Sequence, residues 1–86
     1  MPTLCFFYGI LVRMYWRDHN PPHFHALYGS HEILIDISTL ETLEGGFPRR
    51  ALALVLEWAA LHRKELMEAW QQCSRNQTPQ PIAPLE

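Results

Sequence analysis

The stretch "HFHALYGSHEILIDI", residues 23–37, has the pattern of a β-hairpin, and it decides how the rest of the chain can be arranged. Two alternating runs flank Gly29-Ser30, and a two-residue loop that begins with glycine is typical of a type II′ turn. This turn sets the strand register, so that His23 on the first strand lies opposite Asp36 on the second. The register in turn decides which side chains share a face of the sheet.

The predicted hairpin has one apolar face and one polar face, because side chains two residues apart on a strand share a face with their cross-strand partners. The apolar face is predicted to belong to the core and consists of Phe24, Ala26, Tyr28, Ile33, Ile35 and Ile37. The polar face carries His23, His25, Leu27, Glu32, Leu34 and Asp36. We therefore expect both histidines of the "HFH" segment to point away from any helix that covers the apolar face.

The residues before the hairpin predict a neighbouring strand over 10–17, "ILVRMYWR". Its alternation predicts that one set of side chains is buried, namely Ile10, Val12, Met14 and Trp16. The other set would join the histidine face and includes Arg13, Tyr15 and Arg17. The segment "DHNPP", residues 18–22, ends the strand because proline has no N–H to donate to a ladder.

The segment from Pro48 to Ser74 predicts one long helix, since it opens with proline and is rich in alanine, leucine and glutamate. An apolar stripe that should cover the isoleucine face of the sheet consists of Ala51, Val55, Trp58, Ala59, His62, Leu66, Ala69, Trp70 and Cys73. We interpret Trp58 and Trp70 as core residues and His62 as a buried, hydrogen-bonded structural histidine.

The predicted helix is longer than the sheet that it should cover. A helix over residues 48–74 would be about 40 Å long, whereas a seven-residue strand spans about 23 Å. Further apolar residues lie off the main stripe, namely Leu54, Leu56, Leu61 and Met67. The surplus surface favours either a broken helix that wraps the sheet or a homodimer formed through the helix.

The predicted fold class is α+β in one domain, residues 1–86: a three- to four-stranded antiparallel β-meander with one long C-terminal helix packed on one face. The strands should occupy about residues 4–44, with a short edge strand near 41–44, and the helix about 48–74. Residues 75–86 contain three prolines and should form an extended tail that lies on the domain or on a partner.

Composition and charge exclude several protein classes. The formal net charge of −2 provides no overall basic field, so any contact with RNA would have to be local. Arg13 interrupts the apolar N-terminal stretch well short of the roughly 20 residues that a membrane span needs, and no membrane association is expected. Cys5 and Cys73 lack metal-site spacing and are expected to be core residues of a protein in the reducing cytoplasm.

A divalent metal site is one hypothesis for the polar face. His19, His23 and His25 would supply imidazole nitrogen, and Asp18 or Asp36 would supply a carboxylate oxygen. His23 and His25 share a strand face at a separation that one ion can bridge. A strand pair of this kind without a defined third ligand often binds nothing, so surface or hydrogen-bonded histidines are the alternative.

Acid–base catalysis on phosphodiesters is a second hypothesis. In such a small ribonuclease, His23 and His25 would transfer protons, and Asp36 would orient the ring of His23. Arg13 or Arg17 would stabilise the charge on the phosphate.

Partner binding without catalysis is a third hypothesis, and its alternative is an ordinary solvated face. The predicted contact residues are Arg13, Tyr15, Arg17, His23 and His25 on the sheet, with Arg49 and Arg50 at the helix start. Positive charge in the first helical turn opposes the helix dipole, so helix stability does not explain Arg49 and Arg50. Glu44 and Glu86 are the candidate internal acceptors for these two arginines.

Four segments together resemble the bacterial domain-of-unknown-function 4160 family: "FYGILVRMYWRDHNPPHFHALYG", "IDISTLETLEG", "PRRALALVLEWAALHRKEL" and "PIAPLE". The resemblance covers nearly the whole chain. It implies no catalytic residue, since the family has no established activity. Members often occur beside another small protein in arrangements that look like toxin–antitoxin gene pairs, and the resemblance therefore implies a protein partner.

We accordingly expect an intracellular bacterial interaction module, one half of a toxin–antitoxin-like two-protein system. It would bind its partner through the histidine face or the long helix, and the helix would also serve a homodimer. The alternative function is a small ribonuclease or a metal-binding protein that uses His23 and His25.

Overall fold

The computed structural model describes residues 2–86 and shows a sheet of antiparallel strands followed by two helices. The elements are β1 (Thr3–Phe7), β2 (Ile10–Arg13), β3 (His23–Tyr28), β4 (His31–Asp36), β5 (Thr42–Gly45), α1 (Arg49–Leu61) and α2 (Arg63–Ser74). The five strands lie side by side in chain order, which is the arrangement of a meander. The predicted α+β class is thus confirmed, but three or four strands was too few.

The fifth strand arises because the apolar N-terminal segment folds back on itself as β1 and β2. Tyr8 and Gly9 both have positive φ angles, 49° and 81°, as the two central residues of a type I′ hairpin turn require. Tyr8 is an uncommon residue in that position, since a Cβ atom disfavours left-handed backbone and tyrosine lacks the short polar side chain with which Asn or Asp offsets this cost. The sequence signal for this turn was therefore weak.

The β3–β4 hairpin has the predicted register, with His23 opposite Asp36 and Tyr28 opposite His31. Of its two loop residues only Gly29 has a positive φ, as the first central position of a type II′ turn needs. The predicted apolar face is buried except for Tyr28, which lies at the end of the strand and is 37% exposed. The hairpin thus supplies one face of the core.

The strand predicted over residues 10–17 ends early, and this corrects the predicted burial of Trp16. β2 stops at Arg13, and Trp16 is 43% exposed. The backbone of Arg17 is left-handed, with φ 54°, and its N–H donates to the carbonyl oxygen of Cys73 at the end of α2. The chain has left the sheet by this point, so strand alternation no longer decides which side chains are buried.

The single long helix predicted over residues 48–74 is wrong, because His62 interrupts it. His62 has φ −124° and ψ 25°, outside the helical region, and separates α1 from α2. The longest dimension of the chain is 33 Å, shorter than the about 40 Å of a straight helix. The break allows Trp58 on α1 and Trp70 on α2 to be buried in the same small domain.

His62 is half-buried, and its ring contacts a residue of each helix at this break. Its Nδ1 lies 2.6 Å from a carboxylate oxygen of Glu65 in the first turn of α2. Its ring is 5.5 Å from the indole of Trp58, measured between centroids. Within the described residues, neither helix is long and apolar enough to cross a bilayer.

The C-terminal tail lies on the domain itself, along β1. The N–H of Ile82 donates to the carbonyl oxygen of Leu4, and the indole N–H of Trp58 donates to the carbonyl oxygen of Ala83 at 2.8 Å. Ile82 is buried. The tail therefore covers part of one sheet edge and satisfies the polar atom of the largest core side chain.

We predict that Gly45→Ala destabilises the protein by about 1–3 kcal/mol. Gly45 has φ 79°, and an added Cβ would collide with the carbonyl oxygen of Glu32. That oxygen is held in place by the N–H of Gly46. Gly46→Ala is the matched control, since nothing lies near its position and its change should stay within about 0.5 kcal/mol. Urea denaturation measures the stability of both variants. Equal unfolding midpoints for the two would show that a Cβ atom at position 45 causes no strain.

We also predict that both thiols are unreactive in the native protein. Cys5 and Cys73 are buried, as expected for core residues, and burial raises the pKa of each thiol. The reactive thiolate is then scarce and shielded, so a disulfide reagent should reach either thiol only through opening of the fold. Both should react at once in concentrated urea. Rapid reaction of one thiol in native buffer would show that its side chain is exposed.

Candidate metal centre

The loop between β2 and β3 brings Asp18 against the two histidines of β3. His23 and His25 share one face of the strand and are only 2% and 6% exposed. One carboxylate oxygen of Asp18, Oδ2, lies 3.0 Å from Nε2 of His23 and 3.2 Å from Nε2 of His25. We call these three residues the Asp18–His23–His25 cluster.

The outer nitrogen of each ring is held by an acceptor, which determines where the ring protons lie. Nδ1 of His23 is 2.7 Å from the carbonyl oxygen of Pro21, and a carbonyl can only accept, so this nitrogen carries a proton. Nδ1 of His25 is 3.1 Å from Oε2 of Glu32, a carboxylate that also accepts. In a neutral His23 ring the remaining lone pair is then on Nε2. Nε2 of both rings points into the cluster, where that of His25 is within hydrogen-bonding distance of Oδ2 of Asp18.

Asp18 alone does not satisfy the inner nitrogens of both rings. Nε2 of His25 can donate to Oδ2 of Asp18, but a neutral His23 then directs its Nε2 lone pair at the same anionic oxygen, which is repulsive. Two doubly protonated rings would place like charges 5.2 Å apart, between ring centroids, in a largely buried site. Nε2 of His23 is also, within residues 2–86, a buried polar atom without a hydrogen bond, because its contact with Asp18 is poorly aligned. A cation between the three atoms removes each of these penalties.

The separations of the three atoms suit a transition-metal ion. They all lie within 4.8 Å of one another. Metal–nitrogen and metal–oxygen bonds of about 2.0–2.1 Å in a tetrahedral site put neighbouring ligand atoms about 3.3 Å apart. The contacts of Asp18 with the two histidines are only slightly shorter than this. A metal-bound histidine also usually donates its other ring N–H to a carbonyl or carboxylate oxygen, which is the contact that Nδ1 of His23 and of His25 makes.

The carboxyl of Asp18 is suited to serve as an anionic ligand. Partial burial by itself would raise its pKa, but hydrogen bonds from His25 and from the backbone N–H of His19 outweigh that effect. The electrostatic influence of the nearby His23 and His19 side chains acts in the same direction, and the net result is a pKa below the usual value. Asp18 is therefore ionised at neutral pH.

The cluster opens onto a surface cleft of about 410 Å³. Its walls are formed by Tyr15, Asp18, His19, His23, His25, Glu32, Leu34, Glu44 and Gly45. Three of these side chains are carboxylates, and none is a lysine or an arginine. An ion held by the cluster would be accessible to water and to small ligands, in surroundings that are otherwise acidic.

The two carboxylates considered from the sequence have different roles in the structure. Asp36 lies opposite His23 in the strand register, but its Oδ1 accepts the N–H groups of Ser38 and Thr39 at 2.8 and 3.0 Å. It therefore closes the turn after β4 and does not join the cluster, whereas Asp18 does. The ring of His23 is oriented by a backbone carbonyl instead of by Asp36.

His19 lies beside the cluster without belonging to it. Its side chain is 83% exposed, and its Nδ1 is 3.0 Å from the other carboxylate oxygen of Asp18, Oδ1. Its backbone N–H donates to the same oxygen. Its ring centroid is 5.6 Å from that of His23.

The predicted contact residues are only partly brought together. The ring of Tyr15 lies 4.2 Å from that of His25, between centroids, and the guanidinium of Arg13 lies over the same tyrosine. Arg17 is exposed on the loop and does not line the cleft. Arg49 and Arg50 lie at the start of α1.

The two helix arginines have neither of the internal acceptors considered for them. Within the described residues, Arg49 and Arg50 form no ion pair with Glu44, Glu86 or another carboxylate. Arg50 instead lines a separate cavity with Tyr8 and Tyr28. They are thus not part of the histidine site.

Two residues that support the site were not among the predicted site residues. The register puts Glu32 on the histidine face, two residues from Leu34, which is the cross-strand partner of His25. This diagonal position was the signal that Glu32 could reach the ring of His25. Trp70 was predicted to be core, but its indole also lies 5.2 Å from the ring of His23, between centroids. No local pattern connects Trp70 with His23, because they are far apart in the chain.

Comparison with known proteins identifies the family. A family model described as Domain of unknown function (DUF4160) matches residues 9–71, which include the whole Asp18–His23–His25 cluster. The chain matches no curated protein and no solved structure. Because the matched segment is well over half of the chain, the protein belongs to the domain-of-unknown-function 4160 family, as its sequence resemblance predicted.

Proposed function

We propose that this protein is a divalent metal-binding domain whose ion is held by Oδ2 of Asp18 and Nε2 of His23 and His25. The observation that carries the proposal is the orientation of the two rings. Nδ1 of each ring is held by an acceptor outside the cluster, so both Nε2 atoms converge on one carboxylate oxygen. Nε2 of His23 has no hydrogen bond of its own.

The ligand types indicate which ions would bind. Two imidazoles and one carboxylate suit Zn²⁺, Fe²⁺, Co²⁺ or Ni²⁺, whereas Mg²⁺ and Ca²⁺ prefer oxygen ligands alone. The cluster contains no thiolate, so it is a poor site for Cu⁺ or an iron–sulfur cluster. Three protein ligands leave at least one coordination position free toward the cleft.

The geometry gives less support to the ribonuclease alternative. A phosphodiester entering the cleft would meet the carboxylates of Asp18, Glu32 and Glu44, and no lysine or arginine lines the walls. Arg13, which was expected to stabilise phosphate, lies over the ring of Tyr15. Like charges at the entrance would oppose binding of RNA.

The expected partner is compatible with metal binding and stays a prediction. The family match names no partner, so a toxin–antitoxin-like role, a homodimer through the helices and cytoplasmic localisation are proposals that accompany the metal site. Exposed apolar residues such as Leu61 at the end of α1 and Trp16 on the loop offer contact area for such a partner.

We predict that the metal-free protein binds one Zn²⁺ or Co²⁺ ion per chain. His23→Ala and His25→Ala should each weaken binding by more than about 100-fold, since a lost ligand costs more than a lost outer partner. His31→Ala is the matched control, because His31 is an exposed β4 histidine outside the cluster, and it should bind like wild type. Calorimetry against a competing chelator measures the affinities.

A second variant separates loss of ligands from loss of folding. Asp18→Asn keeps the shape of the side chain and removes its charge, and it should weaken binding while circular dichroism stays native. Co²⁺ should also quench the fluorescence of Trp70, which lies next to His23. The proposal fails if wild type binds no ion at micromolar concentration, or if all the variants bind as tightly as wild type.

A further inference from the structure

The coordination of the proposed ion is incomplete with three protein ligands. A closed site has four protein ligands, whereas an open site keeps a water in the fourth position. The free position faces the cleft, because the buried sides of both rings are occupied by protein. A fourth ligand has to come from a side chain of the cleft wall or from solvent.

Most polar side chains of the cleft wall already have another role. Glu32 accepts from Nδ1 of His25, and Tyr15 packs against the same ring. Glu44 lies on β5, two strands away from His25, and strands are spaced about 4.8 Å apart. Its backbone is therefore roughly 10 Å from that of the histidine.

His19 is the remaining donor, and its position suits the task. Its backbone is fixed beside the cluster, because its N–H donates to Oδ1 of Asp18 at 2.9 Å. Its ring contacts that same oxygen and is 83% exposed, so little packing has to be broken when it turns. Its ring centroid is 5.6 Å from that of His23, which is close enough for a change of side-chain rotamer to direct a nitrogen at an ion in the cluster.

We propose that His19 is the fourth ligand and closes the coordination of the bound ion. This inference rests on the proposed metal binding. The ion shares the negative charge of Asp18 and so weakens the contact between His19 and Oδ1, which releases the imidazole to coordinate. Three imidazoles and one carboxylate then form a tetrahedral site, a donor set and geometry suited to Zn²⁺. The site is a closed one of the structural kind and leaves no coordinated water for hydrolysis.

The test compares His19→Ala with wild type, using Co²⁺ as a spectroscopic probe and Zn²⁺ for affinity. A four-coordinate tetrahedral Co²⁺ ion absorbs visible light much more strongly than a five- or six-coordinate ion. Wild type should show the intense spectrum. In His19→Ala the open side of the ion admits two or more waters, which raise the coordination number to five or six, so the absorption should fall and the Zn²⁺ affinity should drop about 10- to 100-fold.

Two controls distinguish a ligand from a supporting residue. Free imidazole added to Co²⁺-loaded His19→Ala should restore the intense spectrum, which a merely structural role of His19 would not allow. His31→Ala should have the spectrum and affinity of wild type. A His19→Ala protein that binds and absorbs like wild type overturns this inference and leaves the proposed metal binding intact. A wild-type protein that binds neither ion overturns both.

Discussion

The register of the β3–β4 hairpin is the constraint on which both the core and the site depend. Side chains alternate along a strand, so a shift of one residue would turn Phe24 and Ile35 outward and would bury His23 and His25 beneath α1. The type II′ turn at Gly29 and the burial of the isoleucine face favour the same register. A single pairing thus places the apolar residues toward α1 and the imidazoles on the opposite face, where Trp70 of α2 meets the ring of His23.

The two histidines are largely shielded from solvent, although they lie on the face of the sheet away from α1. The break at His62 lets α2 follow the domain, and Trp70 reaches the ring of His23. On the other side, the loop that docks on Cys73 carries Asp18 against the same ring. Burial of polar rings is unfavourable unless each nitrogen has a partner, and a bound ion supplies the missing one. Ion binding should therefore also stabilise the fold.

Much of the architecture could be predicted because it depends on local periodicity. Alternation identified the apolar face of the hairpin, and the helical stripe identified Trp58 and Trp70 as core. The mismatch between helix and sheet length pointed to a broken helix as one alternative, and the structure has the break. The turn at Tyr8-Gly9 was missed, because its first residue is not the Asn, Asp or Gly that usually precedes glycine in such a turn.

The sequence by itself determined that His23 and His25 share one face of a hairpin. This follows from the two-residue alternation of side chains along a strand and from the turn at Gly29. Only the tertiary structure decided which carboxylate meets them. Asp36 is the nearer candidate by register, but its oxygen is used by the turn that follows it. Asp18 arrives on a loop with left-handed backbone at Arg17, where no periodic pattern indicates the direction of the chain. Its position is set by the long-range contact of that loop with α2, which the order of residues does not reveal.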